Sequence, residues 1–115
     1  MIKVTSYKLS SVGEFKQAYI NPSKVLTIED TNDANYVYLY LKGDKLQLAR
    51  EELTKLKGLN DMVEYQCAIN HNTYFTFVKE HITDIVVCDD WDIVTMEDGS
   101  FFRITKGQIN YEEMQ

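Results

Sequence analysis

Apolar and polar residues alternate along most of this chain. In YVYLYL (36–41), Val37, Leu39 and Leu41 point one way and Tyr36, Tyr38 and Tyr40 the other, the period of a half-buried strand. A turn at Gly43-Asp44 leads into a second run, in which Leu46 and Leu48 continue the inward face. The segment REELTKLKGLN (50–60) then switches to helical spacing. Leu53, Leu56 and Leu59 share one stripe and Gly58 stands near its end, which predicts about two turns of helix, too short to hold without packing. Upstream, IKVTSYKL turns through SSVG into EFKQAYI, a predicted hairpin.

The same grammar returns in the second half. MVEYQCAI turns through NHNT into YFTFVKE, and DIVTMEDGSFFRITKGQI repeats strand, glycine turn, strand and a polar step into an aliphatic residue. Gly99 stands where Gly43 does, Phe102 and Ile104 match Leu46 and Leu48, Lys106 matches Arg50, and Ile109 matches Leu53. AYINPSKVLTI (18–28) lies over FTFVKEHITDI (75–85), with Val25 and Ile28 against Ile82 and Ile85. The expectation is a mostly-β protein of two pseudo-repeats, approximately 1–58 and 59–115. Each would hold about five short strands and a short helix. Neither unit alone has a secure core, so the two are expected to pack as one compact domain over 1–115.

Bulk composition changes this picture little. The chain has 115 residues, 44% hydrophobic and 26% charged, with a single proline, Pro22, as expected for a folded globular domain. No apolar run approaches the roughly 20 residues of a membrane span. The opening MIKVTSYKLS lacks the apolar stretch of a signal peptide, so the expected location is cytoplasmic. Charge is more informative. Residues 1–58 hold nine Lys/Arg against seven Asp/Glu, a net +2, whereas residues 59–115 hold three against eleven, a net −8. A polyanion would prefer the first half.

Catalytic chemistry finds little support. The two cysteines, Cys67 and Cys88, make neither a disulfide framework nor a zinc site. Cys67 is in phase with Val63, Tyr65 and Ile69 and reads as a buried thiol. The only histidines are His71, in the polar turn NHNT, and His81, just before Ile82, with no activated nucleophile beside them. The five glycines are scattered turn residues rather than a phosphate cradle. The acidic stretch CDDWD (88–92) lacks the alternating oxygen ligands of a calcium loop. It reads as a wet turn. No enzyme, cofactor or metal is expected.

The order KVLTIEDTNDANYVYLYLKGDKLQLAREELTKL, then a His-Asn strand step, VKEHITDI and WDIVTMEDGSFFRITKGQI resembles a LytTR DNA-binding domain over roughly residues 20–110. Members of that family are mostly β and use loops from one side of the fold to enter successive major grooves of double-stranded DNA. The resemblance implies base contacts from Asn35, His71, Asn72 and Lys106, and phosphate contacts from Lys24, Lys42, Lys45 and Arg50. It implies a stand-alone transcriptional regulator of bacterial or phage origin, possible as a homodimer. Three features depart from the family: a longer span before His71, no arginine just ahead of it, and the acidic second half. The opening also resembles short FlbD-like flagellar-operon and phage proteins. A duplicated unit of that kind would be a protein-interaction module with no DNA binding. Its contact surface would be the tyrosine face (Tyr36, Tyr38, Tyr40) or the acidic turn (Asp89, Asp90, Trp91, Asp92). The bland reading of the tyrosines is cross-strand packing within the sheet.

Overall fold

The computed structural model describes residues 1–7 and 15–112; the expected first hairpin turn, SSVG, lies outside the described residues. Ten strands follow the alternation: β1 (Ile2–Tyr7), β2 (Phe15–Ile20), β3 (Val25–Asp30), β4 (Tyr36–Leu41), β5 (Asp44–Ala49), β6 (Met62–Gln66), β7 (Tyr74–Val78), β8 (Ile82–Val87), β9 (Asp92–Met96) and β10 (Phe101–Ile104). All are paired antiparallel, in a seven-stranded sheet of order β2-β1-β5-β4-β3-β7-β6 and a three-stranded sheet of order β10-β9-β8. A single bridge, Cys67 to Ile104, links β6 to β10. It is flanked by Ala68 N–H donating to Arg103 O (3.0 Å) and Thr105 N–H donating to Gln66 O (3.0 Å). The two sheets therefore form one ribbon that turns a corner at residues 66–68.

Each half uses the same devices. A 3₁₀ turn joins the second strand to the third in both, at Pro22–Lys24 and Lys79–His81. A bulge follows immediately, between Val25 and Thr27 and between Ile82 and Asp84. An extra residue in one strand breaks the alternation of two. Val25 and Ile28, three apart, accordingly enter the same core cluster while Leu26 enters the other. Ile82 and Ile85 likewise pack together against the second cluster. In each half the residue after the fourth strand is tied back to the 3₁₀ turn: Lys42 N–H donates to Lys24 O (3.3 Å) and Glu97 N–H to His81 O (3.0 Å). Gly43 and Gly99 both take positive φ, 74° and 88°, where a side chain would be strained.

Two clusters form the core. Val4, Ile20, Val25, Ile28, Val37, Leu39, Leu48 and Val78 lie on one face of the large sheet and pack with Leu56 of the helical segment. That face is covered by a 3₁₀ turn (Arg50–Glu52) running into α1 (Leu53–Leu56), the two-turn helical stretch expected from the leucine stripe. The other face brings Leu26, Tyr65, Phe75 and Phe77 against Val94, Met96, Phe102 and Ile104 of the small sheet. Phe102 is the hub, with ring centroids 4.8 Å from Phe75, 5.1 Å from Tyr40 and 5.5 Å from Phe77.

Two details differ from the sequence-based expectation. The second set of five strands is not followed by a helix, and α1 is the one α-helix among the described residues. Ile109 is buried, so its match to Leu53 reflects a shared anchoring position and not a shared helix. Strand β6 also ends at Gln66, not Ile69. Cys67 is buried as expected, but Ile69 is 67% exposed beyond it. No helix among the described residues is long and apolar enough to cross a membrane.

Candidate nucleic-acid interface

Antiparallel strands return their loops to two opposite ends of a sheet. At one end, β3 leaves through residues 31–35 and β4 enters. Both turns in that loop are built by aspartates accepting from nearby amides, a habit of Asp in tight turns. Asp30 Oδ1 takes the N–H of Asn32 (2.8 Å), and Asp33 Oδ1 takes those of Asn35 (2.7 Å) and Tyr36 (3.2 Å). Asn32 has φ 62°, a left-handed conformation that asparagine tolerates better than most residues.

Arg50, the first residue of the 3₁₀ turn after β5, clamps this loop. Its backbone N–H donates to Asn35 O (2.9 Å), its Nε to Asp33 O (2.6 Å) and its Nη1 to Asp30 Oδ2 (3.0 Å), while Nη2 reaches Asp30 Oδ1. This is the bidentate geometry for which a guanidinium is suited. The Arg50 hydrogen bond holds the Asp30 carboxyl below its ordinary value of 3.8, aided by the Asn32 amide and against partial desolvation. The linkage sign follows: a carboxyl depressed in the folded state stabilises above its ordinary pKa and loses that contribution as pH falls through the lowered value. The stability difference between the wild type and Asp30→Asn should therefore stay constant from neutral pH to about pH 5 and shrink towards zero well below 3.8. Paired urea melts across pH check this; a difference unchanged at pH 2 would contradict it.

The loop between β6 and β7 abuts this one. Cys67 N–H donates to Thr73 O (2.8 Å), Thr73 N–H to Asn70 O (2.9 Å) and Asn72 N–H to Asn70 Oδ1 (3.0 Å). The Asn32 side-chain amide donates across to Asn72 O, and Gln66 Nε2 to His71 O (3.0 Å). Gln66 is itself gripped by the segment after β10. Its N–H donates to Gln108 Oε1 (2.7 Å), while Gln108 Nε2 donates to Gln66 O (3.1 Å) and Thr105 O (2.9 Å). Lys106 lies in that segment. Its ammonium donates to Cys88 O (2.5 Å) and Asp92 Oδ1 (3.2 Å), and Asp92 is 2% exposed.

Four residues singled out from the sequence, Asn35, His71, Asn72 and Lys106, thus share one rim of the ribbon with Arg50. Hydrogen bonds run from Asn35 and Arg50 through Asn72 and His71 to Gln108, and Lys106 follows Thr105 in that last segment, tied separately to Cys88 and Asp92. All but the half-buried Arg50 are exposed. Lys24 and Lys42 do not join them. They lie at the far end of β4, about 20 Å away for a six-residue strand, where Lys42 pairs with Glu97. Lys45 stands opposite Tyr40, one pair in from that same far end, with its ammonium 4.8 Å and 4.9 Å from the ring centroids of Tyr38 and Tyr40 and 4.0 Å from Glu29.

The tyrosines are half-buried. Tyr40 packs edge-on against Phe102 and donates its hydroxyl to Glu29 (2.6 Å); burial and that carboxylate raise its pKa well above the ordinary value. Asp89 and Asp90 form an exposed bend closed by Cys88 N–H to Trp91 O (3.0 Å). The Trp91 ring lies 5.1 Å from the Arg103 guanidinium carbon. Sequence reasoning missed the clamp roles of Asp30, Asn32, Gln66, Gln108 and Asp92. The paired motifs Asp30-Thr31-Asn32 and Asp33-Ala34-Asn35 were a readable turn signal; nothing marked Gln108.

Ten antiparallel strands in one cornered ribbon, with three loop segments gathered at one rim, define an all-β loop-presenting domain. That is a LytTR-type fold. By structure the chain is similar to a solved LytTr DNA-binding domain, from a Bacillus cereus protein described as a methyl-accepting/DNA response regulator. The TM-score is 0.60 and the identity 16%, covering 96% of this chain and 93% of that one. By sequence, no family model and no curated protein matches.

Proposed function

We propose that this chain binds double-stranded DNA sequence-specifically, as a stand-alone LytTR-like transcriptional regulator acting in the cytoplasm. The observation that carries the reading is the gathering of Asn35, His71, Asn72, Lys106 and Arg50 at one rim of a LytTR-type fold. Asparagine can pair bidentately with adenine and lysine can reach guanine acceptors. Arg50 is the phosphate contact of this footprint, which leaves out Lys24 and Lys42 at the far end. The two halves, approximately 1–58 and 59–115, are read as copies of one unit within a single domain. A protein-interaction role through the tyrosines or Trp91 is less well supported, because Tyr40 and Trp91 are engaged within the chain.

Both cations of the rim face carboxylates of the same chain, Asp30 and Asp92. Few counterions would therefore be released on binding. Selection from a random duplex pool should enrich a motif. Its affinity should then fall only shallowly with salt, at a log–log slope of roughly −1 to −2, for the one or two phosphates that the two rim cations can neutralise. Lys106→Ala should relax base preference at one position, at a cost of about 1–3 kcal/mol against the best site. A pool that enriches nothing, together with binding that ignores salt, would sink the reading.

A further inference from the structure

The two ends of the ribbon are β2 and β8, and among the described residues neither has a strand on its outer edge. Natural sheets guard such edges with charge, proline or bulges that reach the tip. Here Tyr19 on β2 is 62% exposed, and Val86 and Val87 at the end of β8 are 48% and 62% exposed. Among the described residues, three of the eight exposed large hydrophobic side chains lie on these two edges.

The chain contains a template for what they do. The halves are joined by β3 against β7, antiparallel, with Thr27 opposite Phe77, Ile28 opposite Thr76, Glu29 opposite Phe75 and Asp30 opposite Tyr74. β3 is the third strand of its half and β7 the second strand of the other. The matched 3₁₀ turns and bulges make β8 the counterpart of β3, and β2 the counterpart of β7. The equivalent junction, β8 to β2, is left unmade within the chain.

We propose that β8 of one copy pairs with β2 of a second copy, in the register that β3 and β7 use internally. Asp84 then stands opposite Ile20, Ile85 opposite Tyr19, Val86 opposite Ala18 and Val87 opposite Gln17. Main-chain hydrogen bonds supply the affinity and the alternate side chains the register, as in strand addition generally. No like charges meet across it. The contact joins two different edges, so it is head-to-tail: each added copy presents a fresh edge, and the assembly grows until a ring closes. This inference is independent of DNA binding.

The test is light scattering behind size exclusion, on the full chain over a wide concentration range. The mass should climb with concentration from one chain to two and beyond. Tyr19→Lys and Val86→Lys each damage a different edge, and each alone should hold the mass at one chain throughout. An equimolar mixture of the two retains one sound edge of each kind, so it should return to two chains and stop there. Circular dichroism melts establish that each variant is folded, and Val87→Lys replaces Val86→Lys should the latter fail. A wild type that stays at one chain, variants that associate like the wild type, or a mixture that stays at one chain would each overturn the proposal.

Discussion

Phe77→Ala is expected to lower the unfolding free energy by about 3–5 kcal/mol, the usual range for a buried phenylalanine. The ring is fully buried. It sits on β7, opposite Thr27 of β3 on one side and Val63 of β6 on the other. Its centroid lies 5.5 Å from Phe102, 5.9 Å from Phe75 and 6.2 Å from Tyr65. It thus belongs at once to the junction between the halves and to the contact between the sheets. The surrounding strands are pinned by backbone ladders and cannot collapse into the space left behind. A domain of this size has roughly 5–15 kcal/mol of stability in all, so the variant should be marginal at 37 °C. Urea melts followed by circular dichroism measure the change. A loss under 1 kcal/mol would mean that the two sheets are not held by this aromatic cluster.

Arg50→Ala should weaken duplex binding by about tenfold to a hundredfold, the range for one charged contact, and cost about 1–2 kcal/mol of stability. Three effects act together. The guanidinium is lost, the Asp33 carbonyl loses a donor, and Asp30 becomes an uncompensated carboxylate facing the same phosphates. Arg50→Lys should not restore binding, because an ammonium cannot span both oxygens of Asp30 while holding Asp33 O. Adding Asp30→Asn to Arg50→Ala removes the stray charge and should recover part of the affinity but none of the loop geometry. Filter binding on the selected duplex, with thermal melts alongside, separates these terms. Undiminished binding by folded Arg50→Ala would remove Arg50 from the interface.

Most strands were legible because alternation survives wherever one face is dry. The exceptions are physical. At Val25–Ile28 and Ile82–Ile85 the spacing of three comes from bulges, which a reading by periods of two or 3.6 cannot name. The absent second helix shows that a four-residue helix is decided by its packing surface: Leu53 and Leu56 found one, while Ile109 is buried within irregular backbone. Asn35, His71, Asn72 and Lys106 were placed by resemblance, but their joining depends on Gln66 and Gln108, whose side chains carry no local signal. The separation of Lys24 and Lys42 from Asn35 was, by contrast, readable in advance. Asn35 precedes the strand 36–41 and Lys42 follows it, so the two must occupy opposite ends.

The placement of β3 also has a temporal side. One of its neighbours, β4, follows within a dozen residues, whereas the other, β7, brings Phe77 beside Thr27 from fifty positions away. Short hairpins close in microseconds, while distant pairings must first overcome the entropy of the intervening loop. The nascent polypeptide should therefore pass through a stage of formed hairpins awaiting one slow zippering event. During that wait its central strand is, for a moment, as bare as its outermost ones.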